Sequence, residues 1–441
     1  MPAPADARAR ESRPARAREI SLWALALLLA AGMIYYYRGV LVPIRARHSQ
    51  LAGALPGNWS DLYPRWLGAR ELFLHGRNPY SPELTRDIQG GFYGRAIDPS
   101  NSRDPKDPEA FAYPLYVVFL LLPFVHLSFE PVRVVFSGVL FLLTAVSPLL
   151  WMRALGLPLR KRPVLFAVLA TMSSFAVVDG LHLEQLSLLV AALMAASLTA
   201  LAGGHLLLAG ALLALSMIKP QLTLLTTLFL SVWVLGAWAS RKRFAIGFAG
   251  VMITLLLGSE LLMPGWFRFW IEQMQAYVGY VKPPLLKVLL GETVSLLVAA
   301  LAVLFCGWFF WRVRKEMPGA DRFNFALGAA LLVTIFLLPN GGGALYNQVL
   351  LIPVVIWLFH LEQQLRPIGL VRFTWLLAVA VLAGQWLAAL AVSFAALLLH
   401  HNFQQEATFF VAGPELLAFF FPVALALFFL STRFGRPQGA S

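Results

Sequence analysis

Charged side chains are scarce in this sequence. They make up 13 % of its 441 residues, where a soluble domain carries about 25 %, and mean hydropathy is +0.71. Such a shortage excludes an ordinary soluble fold. Cysteine is scarcer still, with Cys306 alone inside an apolar run. One thiol excludes an intrachain disulfide and any multi-cysteine metal site. No ligand cluster for a metal is visible in the spacing of the other residues, and no internal repeat stands out. The longest polar stretch is too short to bury a core of its own, so no separate soluble domain is expected.

What is abundant is apolar sequence in runs of roughly 17–22 residues, the length that a bilayer core demands of a helix. The formal net charge of +13 would point to nucleic acid in a soluble protein. Here the basic residues sit in short stretches between apolar runs, where orientation on a membrane explains them, and no nucleic-acid partner is expected. The first 19 residues carry Arg8, Arg10, Arg13, Arg16 and Arg18. The following run, Ile20–Tyr37, is long and lacks a small-residue cleavage site, so it reads as a retained span.

The loop charges set the topology. With the N-terminus cytoplasmic, span one leaves over about 20–41. A long stretch over 45–112 then holds nine basic and eight acidic residues and shows no strong bias. Tyr113–Leu127 is apolar but short, and it contains Pro114 and Pro123, which favours a re-entrant or interfacial segment. Spans are then expected near 132–152, 164–180, 186–202, 205–218, 221–239, 244–262, 292–311, 323–339, 347–361, 373–396 and 413–431. In this register Arg153/Arg160/Lys161/Arg162, Arg241-Lys242-Arg243, Arg312/Arg314/Lys315, Arg366/Arg372 and Arg433/Arg436 all fall on the cytoplasmic side. The expected fold class is an all-α polytopic membrane protein of about 12 transmembrane helices. Residues 1–19 form a basic cytoplasmic N-terminus, 20–431 the transmembrane domain with its first extracytoplasmic loop at 45–131, and 432–441 a cytoplasmic tail.

Ionisable groups are costly in lipid, so their positions are informative. Asp179, His182, Glu184 and Gln185 fall in the outer turn between spans three and four. Lys219 falls in the next outer turn, between spans five and six, Glu260 ends span seven, and Tyr346, Asn347 and Gln348 follow Gly341-Gly342-Gly343. Together they form one polar layer. His400, His401 and Asn402 sit in the last outer loop and read as ordinary loop polarity. Lys219 either snorkels to the headgroups or pairs with a lipid phosphate, a role suited to a compact point charge.

In the first loop, Ser60-Asp61 precedes a helical pattern with Leu62, Trp66, Ala69 and Phe73 on one face. This predicts an amphipathic helix along the membrane surface, closed at Gly76 and followed by a turn at Asn78-Pro79-Tyr80. Ser60 or Asp61 can be a plain N-cap. Alternatively, Asp61 can be a general base for a hydroxyl substrate held at the interface. Residues 87–109 read as a flexible loop able to cover a site, and Tyr113 in Phe111-Ala112-Tyr113-Pro114 as an interface anchor or a site residue.

Four segments in order then carry a resemblance. Asn58-Trp59-Ser60-Asp61-Leu62-Tyr63 with Asn78-Pro79-Tyr80, Phe111-Ala112-Tyr113-Pro114, Glu184-Gln185-Leu186-Ser187 and Ile218-Lys219-Pro220 resemble glycosyltransferase family 87 over about residues 20–360. That family comprises polyprenol-phosphate-mannose-dependent mannosyltransferases and many bacterial relatives of GT-C fold. The resemblance implies a GT-C-type bundle in the bacterial plasma membrane, with Asp61 as catalytic base and an outer-face pocket for a sugar carried on a lipid phosphate. Many relatives have Gly-Gln-x-Asn where this chain has Glu184-Gln185-Leu186-Ser187, and a histidine-containing segment where it has Tyr346-Asn347-Gln348.

The chemistry expected is an inverting transfer of a hexose, mannose on the resemblance, from a polyprenyl-phosphate donor to a hydroxyl on a lipid or glycan acceptor. One carboxylate suffices, because the phosphate leaves without a general acid; glycosidases need two. Lys219 and Arg65 would neutralise the departing phosphate. Gln185, Tyr63, Tyr113, His182, Tyr346 and Asn347 are the further candidates for substrate binding. Neither cofactor nor metal is expected. The rival readings are a transporter or flippase of a lipid-linked sugar, which would place its ionisable groups near the midplane, and a non-catalytic subunit of envelope assembly.

Overall fold

Apolar runs this long make helices, because only a helix satisfies its own backbone groups in lipid. The computed structural model describes residues 5–51, 57–98, 100–102, 104–339, 344–362, 369–399 and 411–432, and among these it has helices and no strand. In chain order they are α1 (Ala5–Tyr35), continued by a π-helical turn (Tyr36–Leu41) into α2 (Val42–Leu51), then α3 (Tyr63–His75), α4 (Pro82–Phe92) and α5 (Val117–Leu121). Next come α6 (Phe129–Ala154), α7 (Lys161–Met172), α8 (Phe175–His182), α9 (Leu186–Ala202), α10 (Leu206–Ser216) and α11 (Pro220–Leu235). The remainder are α12 (Trp238–Leu262), α13 (Trp266–Tyr280), α14 (Leu285–Leu290), α15 (Glu292–Val313), α16 (Asp321–Leu337), a 3-10 helix (Leu345–Leu351), α17 (Ile352–Glu362), α18 (Gly369–Leu399) and α19 (Gly413–Ser431).

Seven of these helical stretches are long and apolar enough to cross a bilayer, and there is an eighth if α7 and α8, bent by 55°, form one span. The chain is thus a polytopic membrane protein. Helices α9, α10 and α11 are apolar but shorter, and α16 has 17 residues. Twelve spans are reached only if these four cross as well. Helices α9 and α16 are buried around most of their circumference, the pattern of helices enclosed by others. Helix α12 lies at the periphery, with 11 % of its apolar window buried. Tyr113–Leu127 forms only the five-residue α5 and a 3-10 turn at Leu122–Phe124, well short of a span.

The two ends of the bundle differ in chemistry. Helix α6 begins at Phe129, whose ring meets Tyr63 at 5.0 Å and Trp66 at 5.3 Å. It ends beside α16, where Asn324 Nδ2 donates to the Leu155 carbonyl at 3.1 Å. Helix α11 starts after Lys219 and ends near Arg241, whose guanidinium stacks on Trp233 at 3.8 Å and donates to the carbonyls of Trp233 and Arg314, each at 2.6 Å. The clusters at Arg153, Arg241–Arg243 and Arg312–Lys315 therefore share one end. The polar layer read from the sequence lies at the other.

The first loop is more embedded than expected. Pro64, Trp66, Gly68, Ala69 and Leu72 of α3 are all buried, so the helix sits within the protein and does not merely float on a surface. Gly76 closes α3 in the left-handed conformation at φ 65°, as glycine permits. Asn78 starts the expected turn, accepting from Ser81 N at 3.1 Å and, through Oδ1, from Tyr80 N at 2.9 Å. The stretch read as a flexible loop from residue 87 is helical as far as Phe92. Beyond it, Tyr93 donates to the Asp107 carbonyl at 2.9 Å, Gln89 to that of Pro108 at 3.1 Å, and Arg95 pairs with Asp104 at 2.6 Å.

Gly68 fixes how closely α3 approaches the loop behind it. A Cβ there would lie 2.4 Å from Phe111 Cδ2, and Phe111 is fully buried. Gly68→Ala is expected to destabilise the protein by about 1–3 kcal/mol. The measurement is thermal unfolding in detergent; an unchanged transition would show that the Phe111 ring yields.

Candidate active site

Asp61 lies on the turn that leads into α3. Ser60 Oγ accepts from Leu62 N at 3.2 Å, Asn58 Oδ1 accepts from Ser60 N at 3.1 Å, and Asp61 N donates to the Leu183 carbonyl at 3.0 Å. The N-cap of α3 is Leu62, and no side chain caps it. The carboxylate of Asp61 is therefore not an N-cap: its Oδ2 accepts from Gln185 Nε2.

Gln185 stands where α8 gives way to α9. Glu184, just before it, has φ 49°, a conformation that a residue with a Cβ seldom adopts. That kink turns the chain. Asp179 and His182 face the π-helical turn that follows α1, where Tyr37 donates to Asp179 Oδ1 at 2.6 Å and its ring meets that of His182 at 5.5 Å. Gln185 and Ser187 face α11 instead. Glu184 itself accepts from Arg133 Nε at 3.1 Å. Trp59 and Glu109 also have positive φ, at 54° and 50°. All three non-glycine residues with this conformation among those described thus belong to the segments that surround Asp61, and strained backbone gathers where a site must hold its groups in place.

Lys219 is the third member. It precedes Pro220, which occupies the first turn of α11, where its missing N–H costs nothing. Proline also keeps the residue before it out of the helical region. The Lys219 side chain accordingly turns into the bundle, and at 7 % exposure it does not snorkel. Its Nζ donates to Gln185 Oε1 at 3.2 Å and to Ser187 Oγ at 2.8 Å. Ser187 Oγ in turn donates to Asn347 Oδ1 at 2.7 Å. One line of hydrogen bonds thus runs Asp61–Gln185–Lys219–Ser187–Asn347.

Aromatic rings and a second cation border this line. Arg65 stacks on the Tyr113 ring at 4.3 Å and donates through Nη1 to the Asp61 carbonyl, while its Nε is buried with no partner. Lys219 Nζ lies 5.1 Å from the centre of the Tyr346 ring. Burial raises the Asp61 pKa to about 6, against the opposing pull first of Arg65 and then of Lys219. Glu109 is raised well above its ordinary value by burial and by the negative charges of Asp107 and Asp61. Among the described residues, no three of His, Cys, Asp and Glu gather as a metal site would require.

Of the residues singled out in the sequence, Asp61, Arg65, Tyr113, Gln185, Lys219, Tyr346 and Asn347 come together. Two do not. Tyr63 packs on Trp66 and Phe129, with its hydroxyl against Gly91. His182 belongs to the Tyr37–Asp179 group, because the kink at Glu184 separates it from Gln185. His400, His401 and Asn402 lie outside the described residues. Three groups went unread: Ser187 as a hydrogen-bonding link, Glu109, and the phenols of Tyr277 and Tyr280 on α13. Burial raises both phenols and Asp107 raises them further, which puts α13 beside the site. Its signal was an aromatic amphipathic pattern, Trp266, Trp270 and Tyr277, between two apolar runs.

The model of glycosyltransferase family 87 matches residues 111–339, just over half of the chain. The protein belongs to glycosyltransferase family 87. It is therefore a membrane glycosyltransferase, with a sugar donor and an acceptor as its substrates. No curated protein and no solved structure matches the chain. Tyr113, Gln185, Ser187 and Lys219 lie within the matched stretch, whereas Asp61 and Arg65 precede it. In this family 87 chain the left-handed φ of Glu184 falls where the Gly-Gln-x-Asn pattern has glycine, the residue that such a φ favours.

The same φ yields a test. Glu184→Val puts a branched side chain where only glycine is at ease and removes the partner of Arg133, and it is expected to lower stability by about 1–3 kcal/mol. Glu184→Gly relieves the backbone and should retain more of the melting temperature than Glu184→Val. The reverse order in a thermal melt would mean that the φ carries no strain.

Proposed function

We propose that the protein transfers a hexose, with mannose the first candidate, from a polyprenyl-phosphate donor to a hydroxyl on a lipid or glycan acceptor, with inversion, at the extracytoplasmic face of a bacterial plasma membrane. The observation that carries this reading is the single amide of Gln185 bonded to the carboxylate of Asp61 on one side and to the ammonium of Lys219 on the other. A base and a cation held a side chain apart are what attack by a hydroxyl and departure of a phosphate require. Arg65 stands beside them as a second cation able to meet an anionic donor.

In this mechanism Asp61 takes the proton of the acceptor hydroxyl as its oxygen bonds to the anomeric carbon. The bond from that carbon to the phosphate oxygen breaks on the opposite side, and the electron pair leaves with the phosphate. Lys219 and Arg65 stabilise the added charge, which is where preorganised donors contribute most. Tyr113 and Tyr346 hold the two cations in place through their ring faces and wall the space where the sugar would lie. The assignment of this end to the outside rests on the basic clusters at the other end.

Asp61→Asn keeps the shape and loses the base. It is expected to lower transfer by about 10²–10⁴-fold in purified, folded protein supplied with radiolabelled polyprenyl-phosphate hexose. Full transfer by that variant would sink the assignment, and translocation of the labelled lipid without glycosylated product would favour a flippase. The pH profile follows from the raised Asp61 value. The base must be ionised, so the rate should rise through about pH 6 and level off above it, falling about tenfold per unit on the acid side. An acid limb centred near pH 4 would mean an unperturbed carboxylate. Lys219→Met is expected to cost about 10²–10³-fold in single-turnover rate.

A further inference from the structure

A cavity of about 570 Å³ lies between α6, α7, α17, α18 and α19, and Asp61, Gln185 and Lys219 take no part in its lining. Its walls are mostly apolar, with Phe166, Ala167 and Ala170 on one side and Ile352, Val355 and Ile356 on the other. It falls in the range of roughly 300–1,000 Å³ typical of ligand pockets. A protein in a bilayer has lipid as its surrounding solvent.

Three features identify the occupant. The cavity follows α7 from Arg160, at one mouth, to Thr171 and Ser174; the 12 residues of α7 rise about 18 Å. One leaflet contributes about half of a hydrocarbon core roughly 30 Å thick, so the depth matches a single phospholipid chain and not a longer polyprenyl carrier. Among the described residues, the ionisable ones on the lining are Arg160 and His360, both basic, and no carboxylate joins them. Arg160 and its neighbour Lys161 are exposed at that mouth, and cations at a membrane boundary attract anionic headgroups.

We propose that this cavity binds one acyl chain of an anionic phospholipid, with the headgroup at Arg160. The chain would end at the 3-10 helix Leu345–Leu351, which divides the two sites. On one side Tyr346 and Asn347 face Lys219 and Ser187; on the other Gln348, Val349 and Leu351 line the cavity. A bound chain therefore braces the back wall of the candidate active site without touching the reacting groups.

The test is native mass spectrometry of the full-length protein, washed in mild detergent and offered phosphatidylglycerol or phosphatidylcholine. The wild type should retain one phosphatidylglycerol per chain in preference to phosphatidylcholine. Ala167→Trp, which fills the cavity, should lower retention at least tenfold, whereas Leu165→Trp, on the exposed side of α7, should leave it unchanged. Arg160→Gln should keep the chain site and lose the headgroup preference. Absence of retained phospholipid, a polyprenyl phosphate in its place, or equal retention by Ala167→Trp would overturn the proposal. A second measurement stands if Ala167→Trp does not fold: phosphatidylglycerol with a mid-chain diazirine should label cavity residues of the wild type on irradiation. Labelling confined to outward-facing side chains would also overturn it.

Discussion

An ionised carboxylate and an ammonium inside a largely apolar bundle each incur a large desolvation cost, and each is tolerable only when paired or hydrogen-bonded. In this protein the amide of Gln185 meets both needs at once, with its nitrogen directed to Asp61 and its oxygen to Lys219. Because an amide has one donating and one accepting end, it can hold a base and a cation close together without letting them neutralise each other in direct contact. The rest of the local structure serves that placement. Pro220 turns Lys219 inward, the left-handed backbone at Glu184 brings Gln185 round to meet it, and the bond from Asp61 N to Leu183 ties the first loop to the same turn.

This arrangement also accounts for the position of the site at one end of the bundle. Lys219, Gln185 and Asn347 sit at or beside helix starts, on α11, α9 and in the 3-10 helix before α17. Helix ends leave backbone groups unsatisfied, so polar side chains and irregular backbone can gather there at lower cost than in mid-span. The loop with α3, α4 and α5 closes over these starts, and α13 approaches from the side. At the opposite end, Arg241 ties α11, α12 and the end of α15 through carbonyl oxygens, a purely structural use of a buried cation.

Much of this was legible in the sequence. Apolar runs marked the helices, loop charge marked the two ends, and four short segments in order marked the family and brought most of the candidate site to notice. Asp61 could not be told from an N-cap, because the distinction depends on where the N–H groups of α3 find partners, a matter of backbone geometry. His182 and Gln185 looked equivalent at three residues apart; the φ of Glu184 sends them to different neighbours. The pattern of α3 implied a helix on the membrane surface because composition alone does not disclose Phe111 packed against Gly68. Helix α13 escaped notice for the opposite reason, since its aromatic residues act outside the spans that hydropathy reveals. The number of crossings also exceeds what length can decide, because α9 and α16 are enclosed by other helices and need not match the thickness of lipid.

Bonded to the two ends of one amide, Asp61 and Lys219 act as one unit through Gln185 in the proposed transfer. A double-mutant cycle on the single-turnover transfer rate tests it most directly, using Asp61→Asn, Lys219→Met and the double variant. Groups that act together are strongly non-additive. The double variant should be about as slow as the slower single variant. Losses that multiply would contradict it, because they would mean that the carboxylate and the ammonium contribute independently.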